Sequence, residues 1–400
     1  MFGLFLIVLL AISQSAIARV LRDPDVRNIN NFEEVLPTVI LQSEGTTHGN
    51  PHELWIRINT PRQTFELHLM MNRDLLPPDY TDTYIENNRI VSNKEDYENC
   101  YYYGSVVGFP HWSASLSTCH GLRGAFGDFS HMKCLYHIDP IESISDQIQQ
   151  AHTVYRDGSC GYEDAHKDTS HNFMKLDAPT VTRIVEWVVV NDHEQYVAQG
   201  SNVSQASDYA RGVANFVAMM YAKLNITVIL IGVQTWSSQD LIPLSTNPTD
   251  DVIKFANYRS SLMHIYPTHD SAMLITGINF SEPIVGISHF GSMCYDYAVG
   301  IVQASGLSTA VVGSIAAHEL GHIFGIQQDE GRKCICTSPS GHCIMEDSAP
   351  LTPPSTTWSN CSVSDLQIGY DQDAYWCLFK VPNPMEATHV KSDERVQYSI

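Results

Sequence analysis

Residues 318–329, His-Glu-Leu-Gly-His-Ile-Phe-Gly-Ile-Gln-Gln-Asp, constrain this chain more than any other stretch. His318 and His322 are four apart, so on a helix their imidazoles share one face, about one turn from each other. Gly325 follows where such a helix must stop, because glycine turns left-handed without strain. A helix over Ala310–Gly325 therefore ends in a sharp turn. It runs into a loop with Cys334, Cys336 and the run Cys343-Ile-Met-Glu-Asp. Two imidazoles so placed can share one Zn²⁺ at about 2.0–2.1 Å. Glu319, beside the first ligand, reaches a metal-bound water and can take its proton. That is the equipment for attacking a peptide carbonyl and protonating the leaving amine. The plainer alternative is an amphipathic helix with two surface histidines. Helix, glycine stop, cysteine loop and C-I-M in this order weigh against it.

The N-terminus bears on compartment. MFGLFLIVLLAISQSAIA is an apolar run closed by Ala16-Ile17-Ala18, an A-x-A cleavage pattern. Its apolar part is shorter than the roughly 20 residues that span a bilayer, so residues 1–18 read as a secretory signal and the remainder as exported. The 10 cysteines suit an oxidising compartment. So do the sequons at Asn202, Asn225 and Asn279; a further one at Asn360 precedes Cys361 and is a poor acceptor. With a formal net charge of −21, the surface repels phosphates, which argues against nucleic acid and anionic lipid as partners. No later stretch is apolar enough to cross a membrane.

Two halves emerge along the chain. Upstream, Leu54, Ile56 and Ile58 alternate, then Phe65, Leu67 and Leu69, predicting a strand pair around a turn at Thr60-Pro61. Residues 156–180 are polar and read as a linker. Downstream, strands at Glu186–Val190, Ile226–Val233 and Ser271–Ile278 alternate with helices over 203–222 and 252–264. That order implies a mainly parallel sheet flanked by helices, an α/β fold.

HELGHIFGIQQDEGRKCICTSPSGHCIM resembles the metzincin H-E-x-x-H-x-x-G-x-x-H-D motif with its Met-turn, in the reprolysin (adamalysin, ADAM and snake-venom metalloprotease) form. EWVVVND, LNITVILIGVQTW, THDSAMLITG, GSMC, WSNCSVSDL and WCLFKVPNP are similar to that family's protease domain. FELHLMMNRDLL, CYYYGSV and STCHGLRGAF resemble its prodomain. The resemblance implies a signal at 1–18, a β-rich prodomain at 19–178, a protease domain at 179–384 and a polar tail at 385–400. It implies a mixed, mainly parallel five-stranded sheet with an active-site helix, one catalytic zinc, and Met345 as an apolar floor beneath it. It implies bridges Cys294–Cys377, Cys334–Cys361 and Cys336–Cys343. Cys160, in Ser-Cys-Gly, resembles a cysteine switch that would hold the zinc until the prodomain is cut away; its alternative is pairing with Cys100, Cys119 or Cys134. Extracellular protein substrates and a monomeric, secreted zymogen follow from the same likeness.

Three departures stand out. The third zinc ligand of the family falls at Gln328, whose amide oxygen is a weaker partner for Zn²⁺ than imidazole. The alternatives are an active protease with Gln328 as third ligand, one that uses Asp329 or water, and a catalytically impaired homologue that binds proteins in its cleft. Second, the family's calcium residues match Glu186 and Asp270, but the third position is Lys380, so no Ca²⁺ is expected there. Third, no R-x-[KR]-R site lies between Cys160 and Thr180.

Overall fold

A computed structural model describes residues 17–21, 32–43, 50–86, 89–93, 99–128, 135–141, 148–157, 183–266, 269–281, 283–337, 342–347 and 355–379. The upstream strands are β1 (Ile17–Leu21), β2 (Phe32–Val35), β3 (Thr38–Gln42), β4 (Glu53–Asn59), β5 (Thr64–Met71) and β6 (Thr81–Glu86). They continue with β7 (Arg89–Asn93), β8 (Tyr101–Val106), β9 (Phe109–Ser117), β10 (Arg123–Gly127), β11 (Leu135–Pro140) and β12 (His152–Asp157). Downstream come β13 (Arg183–Asn191), α1 (His193–Ala198), α2 (Val203–Ala222), β14 (Ile226–Thr235), α3 (Pro248–Ile265) and β15 (Ser271–Thr276). Then follow β16 (Ile284–His289), β17 (Val299–Gln303), α4 (Thr309–Ile323) and α5 (Asn360–Asp371).

Nine upstream strands form one sheet, in the order β2-β12-β11-β10-β9-β8-β5-β4-β3, every pairing antiparallel. The hairpin read from alternation is β4–β5, with Ile56 opposite Leu67 and the alternating apolar residues all buried. β12 takes Arg156 and Asp157 into this sheet, so the segment read as linker begins later than its composition suggested. A hydrogen-bonded ladder outweighs polar side chains on a half-solvated strand.

The second sheet has eight strands, β1-β16-β17-β15-β13-β14-β6-β7. Five of these, β13 to β17, are downstream, and among them only the β16–β17 pair is antiparallel. Upstream residues extend both edges. β1 lies antiparallel on β16, across the Ala18–Arg19 bond, while β6 lies parallel on β14 and carries β7. The sheet is thus wider than the five strands expected, because strand addition is a non-local event that no window of sequence reports.

Alternation along β13 divides the core. Val185, Trp187 and Val189 join α2 and α4 on one face, while Val188 and Val190 join α3 on the other. Each helix begins on a side-chain cap: Asn202 accepts from Gln205 N, Asn247 from Thr249 N and Asp250 N, and Ser308 from Val311 N. α4 is able to lie close to α2 because Gly313 has no Cβ; one placed there would meet Phe216 Cβ at 2.5 Å. Among the described residues, no helix is long and apolar enough to cross a membrane.

Candidate metal centre

α4 ends where the sequence says it must. Gly325 has φ +87°, Gly325 N donates to His322 O at 2.8 Å and Ile326 N donates to Gly321 O at 2.9 Å. That pair of bonds is a Schellman stop. It aims the Ile326 carbonyl back at His322, whose Nδ1 it meets at 2.8 Å. His318 Nδ1 meets the carbonyl of Ile344 at 2.6 Å. A carbonyl only accepts, so both Nδ1 atoms carry the proton and both Nε2 atoms keep their lone pairs. The two Nε2 atoms face each other 2.9 Å apart. Burial pushes the His318 ring down to about 4, and burial followed by the neighbouring His318 pushes His322 well below its usual range. Two neutral imidazoles with converging lone pairs are a donor set that suits zinc.

Glu319 is fully buried between α4 and β16. The Ser288 hydroxyl donates to its Oε2 at 2.7 Å, and Oε1 has no hydrogen-bond partner among the described residues. Burial drives this carboxyl well above the usual range, against the Ser288 bond, which lowers it. Gly286 makes the room: a Cβ there would lie 2.4 Å from Glu319 Oε1. Met345 is wholly buried beneath α4, where a Cβ on Gly321 would meet its Sδ at 2.7 Å. Asp329 N donates to the Met345 carbonyl at 2.9 Å, which ties the returning loop under the helix.

Gln328 sits half-buried, and its Nε2 donates to Asp347 Oδ1 at 2.9 Å. Asp329 does not replace it. Its Oδ1 accepts from Ser359 Oγ at 2.7 Å. Among the described residues, no third His, Cys, Asp or Glu brings a donor atom within 4.8 Å of both histidines. Asp329 does cluster with Cys334 and Cys361, but those sulfurs are bonded to each other and are no metal donors. Among the described residues, the centre therefore has two imidazoles as its His, Cys, Asp or Glu donors.

Cys294–Cys377, Cys334–Cys361 and Cys336–Cys343 are bridged, and Cys100 pairs with Cys119. Cys134, Cys160 and Lys380 lie outside the described residues. Asp270 Oδ2 accepts from Glu186 N at 2.8 Å, so those two do adjoin. Asn202, Asn225 and Asn279 are all exposed. Sequence reasoning missed Ser288, Gly286 and the two carbonyls behind the histidines. The V-G-I-S-H stretch holds both β16 residues, yet nothing in it says which helix it will face.

Both halves of the chain are similar to known proteins. Residues 183–382 match the Reprolysin (M12B) family zinc metalloprotease, and residues 30–107 match the Reprolysin family propeptide. The chain is 29% identical over 359 residues to disintegrin and metalloproteinase domain-containing protein 12 of Mus musculus, covering 84% of this chain and 39% of that protein. It thus spans about two fifths of that curated relative. A chain in the solved "Structure of a chaperone-substrate complex" overlaps at TM-score 0.38 and 12% identity, over 50% of this chain and 35% of that one, too slight to support any argument. The match over residues 183–382, with the propeptide match upstream of it, makes this chain a member of the reprolysin (M12B) family of zinc metalloproteases.

Proposed function

We propose that the protein is a secreted zymogen of a zinc-dependent endopeptidase acting on extracellular proteins, as a monomer. The observation that carries this is the pair of Nε2 lone pairs converging 2.9 Å apart, each ring fixed from behind by a carbonyl. His318 and His322 hold one zinc, with Gln328 as third ligand. Zinc bound there supplies a Lewis acid for the scissile carbonyl and acidifies water. Glu319 takes the proton from the attacking water. As the C–N bond breaks, it passes that proton to the leaving amine, and the water oxygen stays on the carbonyl carbon. Ser288 anchors one carboxylate oxygen so that the other is presented for proton transfer.

The signal at 1–18, the exposed Asn202, Asn225 and Asn279, and the four disulfides among the described residues support export and glycosylation. Cys160 serves as the switch thiolate, and no calcium binds near Glu186 and Asp270. A second reading has one observation in its favour: the Gln328 amide is engaged with Asp347. In that reading the chain is an impaired homologue that binds proteins without cutting them.

Zinc stoichiometry by elemental analysis, paired with cleavage of a denatured protein by the activated enzyme, separates the two. One zinc per chain and activity abolished by Glu319→Ala support the protease. No zinc in the natural chain, and one in Gln328→His, establishes the impaired homologue.

A further inference from the structure

A cavity of about 190 Å³ lies between β9 and β10 on one side and α2 on the other. Leu116 of β9 and Phe216 of α2 line it and are buried, so its floor is apolar. His120, Arg123 and Gln205 also line it and reach outward, so its rim is polar. His120 is exposed, and its Nε2 lies 3.0 Å from Asp208 Oδ2. The volume is below the roughly 300–1,000 Å³ of sites that take drug-sized ligands. An apolar floor under a polar rim suits one sugar ring, which offers a C–H face and a girdle of hydroxyls.

A sugar has an attachment point at the mouth. Asn202, the acceptor of the sequon Asn202-Val203-Ser204, lines this cavity together with Ser204. Its side chain is not free to turn. Oδ1 accepts from Gln205 N at 3.1 Å as the cap of α2, so the planar amide is held with Nδ2 on its other arm. That nitrogen has no hydrogen-bond partner among the described residues, and Asn202 is exposed. Asn225 and Asn279 are exposed as well, but neither lines the cavity.

We propose that the first N-acetylglucosamine of a glycan on Asn202 is seated in this cavity, between the upstream sheet and α2. The proposal rests on the reading of the protein as exported and glycosylated, and it assigns one sequon a structural place. Transfer from a polyprenyl-diphosphate oligosaccharide forms the Nδ2–C1 bond and breaks the C1–O bond to the diphosphate. The amide proton leaves with the departing phosphate. Attachment makes seating intramolecular, at an effective concentration in the millimolar range, so a weak intrinsic affinity suffices. The two walls are distant in sequence, with Leu116 on one and Phe216 on the other. The sugar is therefore added before they close, and the chain folds around it.

The test expresses the full chain in a eukaryotic secretory host. An amidase that cuts the sugar–asparagine link converts each released Asn to Asp, which peptide mass spectrometry counts. Asn202 is expected to carry a glycan and to lose it about tenfold more slowly from the native chain than from the denatured one. His120→Ala or Arg123→Ala, each of which removes part of the rim, should speed the native release. Asp208 keeps Arg211 at 2.6 Å when His120 is lost, so the fold around it stays paired. No glycan at Asn202 overturns the proposal together with the glycosylation reading at that site. A glycan released equally fast from both states overturns the seat alone. So does slow release that neither variant speeds, since the shield is then not this cavity.

Discussion

His322 Nδ1 donates to the carbonyl of Ile326 at 2.8 Å, and that carbonyl points there because Gly325 between them is left-handed. The glycine therefore orients a ligand as well as ending a helix. Gly325→Ala should cost about 1–2 kcal/mol from the forced left-handed backbone. It should also weaken zinc by about 10- to 100-fold through the misplaced carbonyl. Gly325→Asn, which tolerates that conformation better, should lose less of both. Thermal melts and competition against a chelator read the two effects separately.

Ser288 donates to Glu319 Oε2 at 2.7 Å in a site without exposed surface. Ser288→Ala leaves a buried carboxylate oxygen bare, a loss of about 1–3 kcal/mol. In the active protease kcat should fall by about tenfold while KM moves little, since each tenfold is about 1.4 kcal/mol in the barrier. A shift in KM alone would place Ser288 in substrate binding instead.

Asp192 caps α1, accepting through Oδ1 from Gln195 N at 2.7 Å and Gly277 N at 3.0 Å, with the Thr276 hydroxyl on Oδ2. Burial raises its carboxyl to about 6, against those three bonds, which lower it. In the unfolded chain it titrates near its ordinary value. Between about pH 4 and 6 the native state thus holds a proton that the unfolded state has released. Stability from this group is highest below pH 4 and falls as pH rises to 6, by up to about 3 kcal/mol. Asp192→Asn keeps both backbone bonds through its amide oxygen. Denaturant melts across that window should show a shallower fall for the variant than for the natural chain.

Cys294–Cys377 spans 83 residues and Cys336–Cys343 spans 7. Loop entropy gives about 4.5 kcal/mol for the long bridge and about 2.4 kcal/mol for the short one, as upper figures. Replacing each pair by serine should lower the melting temperature in that order. A larger drop for Cys336–Cys343 would mean that this bridge acts through the Met345 loop beside the site rather than through the unfolded chain.

The local parts of this protein were legible in its sequence. His318, Glu319 and His322 were placed by helical period, Gly325 by its freedom at positive φ, and β13, β14 and α2 by their apolar patterns. Each depends on residues within a turn or a strand of one another, and spacing reports such neighbours directly. Only the tertiary structure brought Ser288 to Glu319, the Ile344 carbonyl to His318, and Asp82 to Arg211 across 129 residues. Only it added β1 and β6–β7 to a sheet that reads as five strands. These contacts join segments whose own patterns carry no record of a partner: a serine in a strand or an aspartate among threonines suits many folds equally. What selects among them is the cost of leaving a buried charge or a strand edge unpaired, and that cost exists only once the chain has closed on itself.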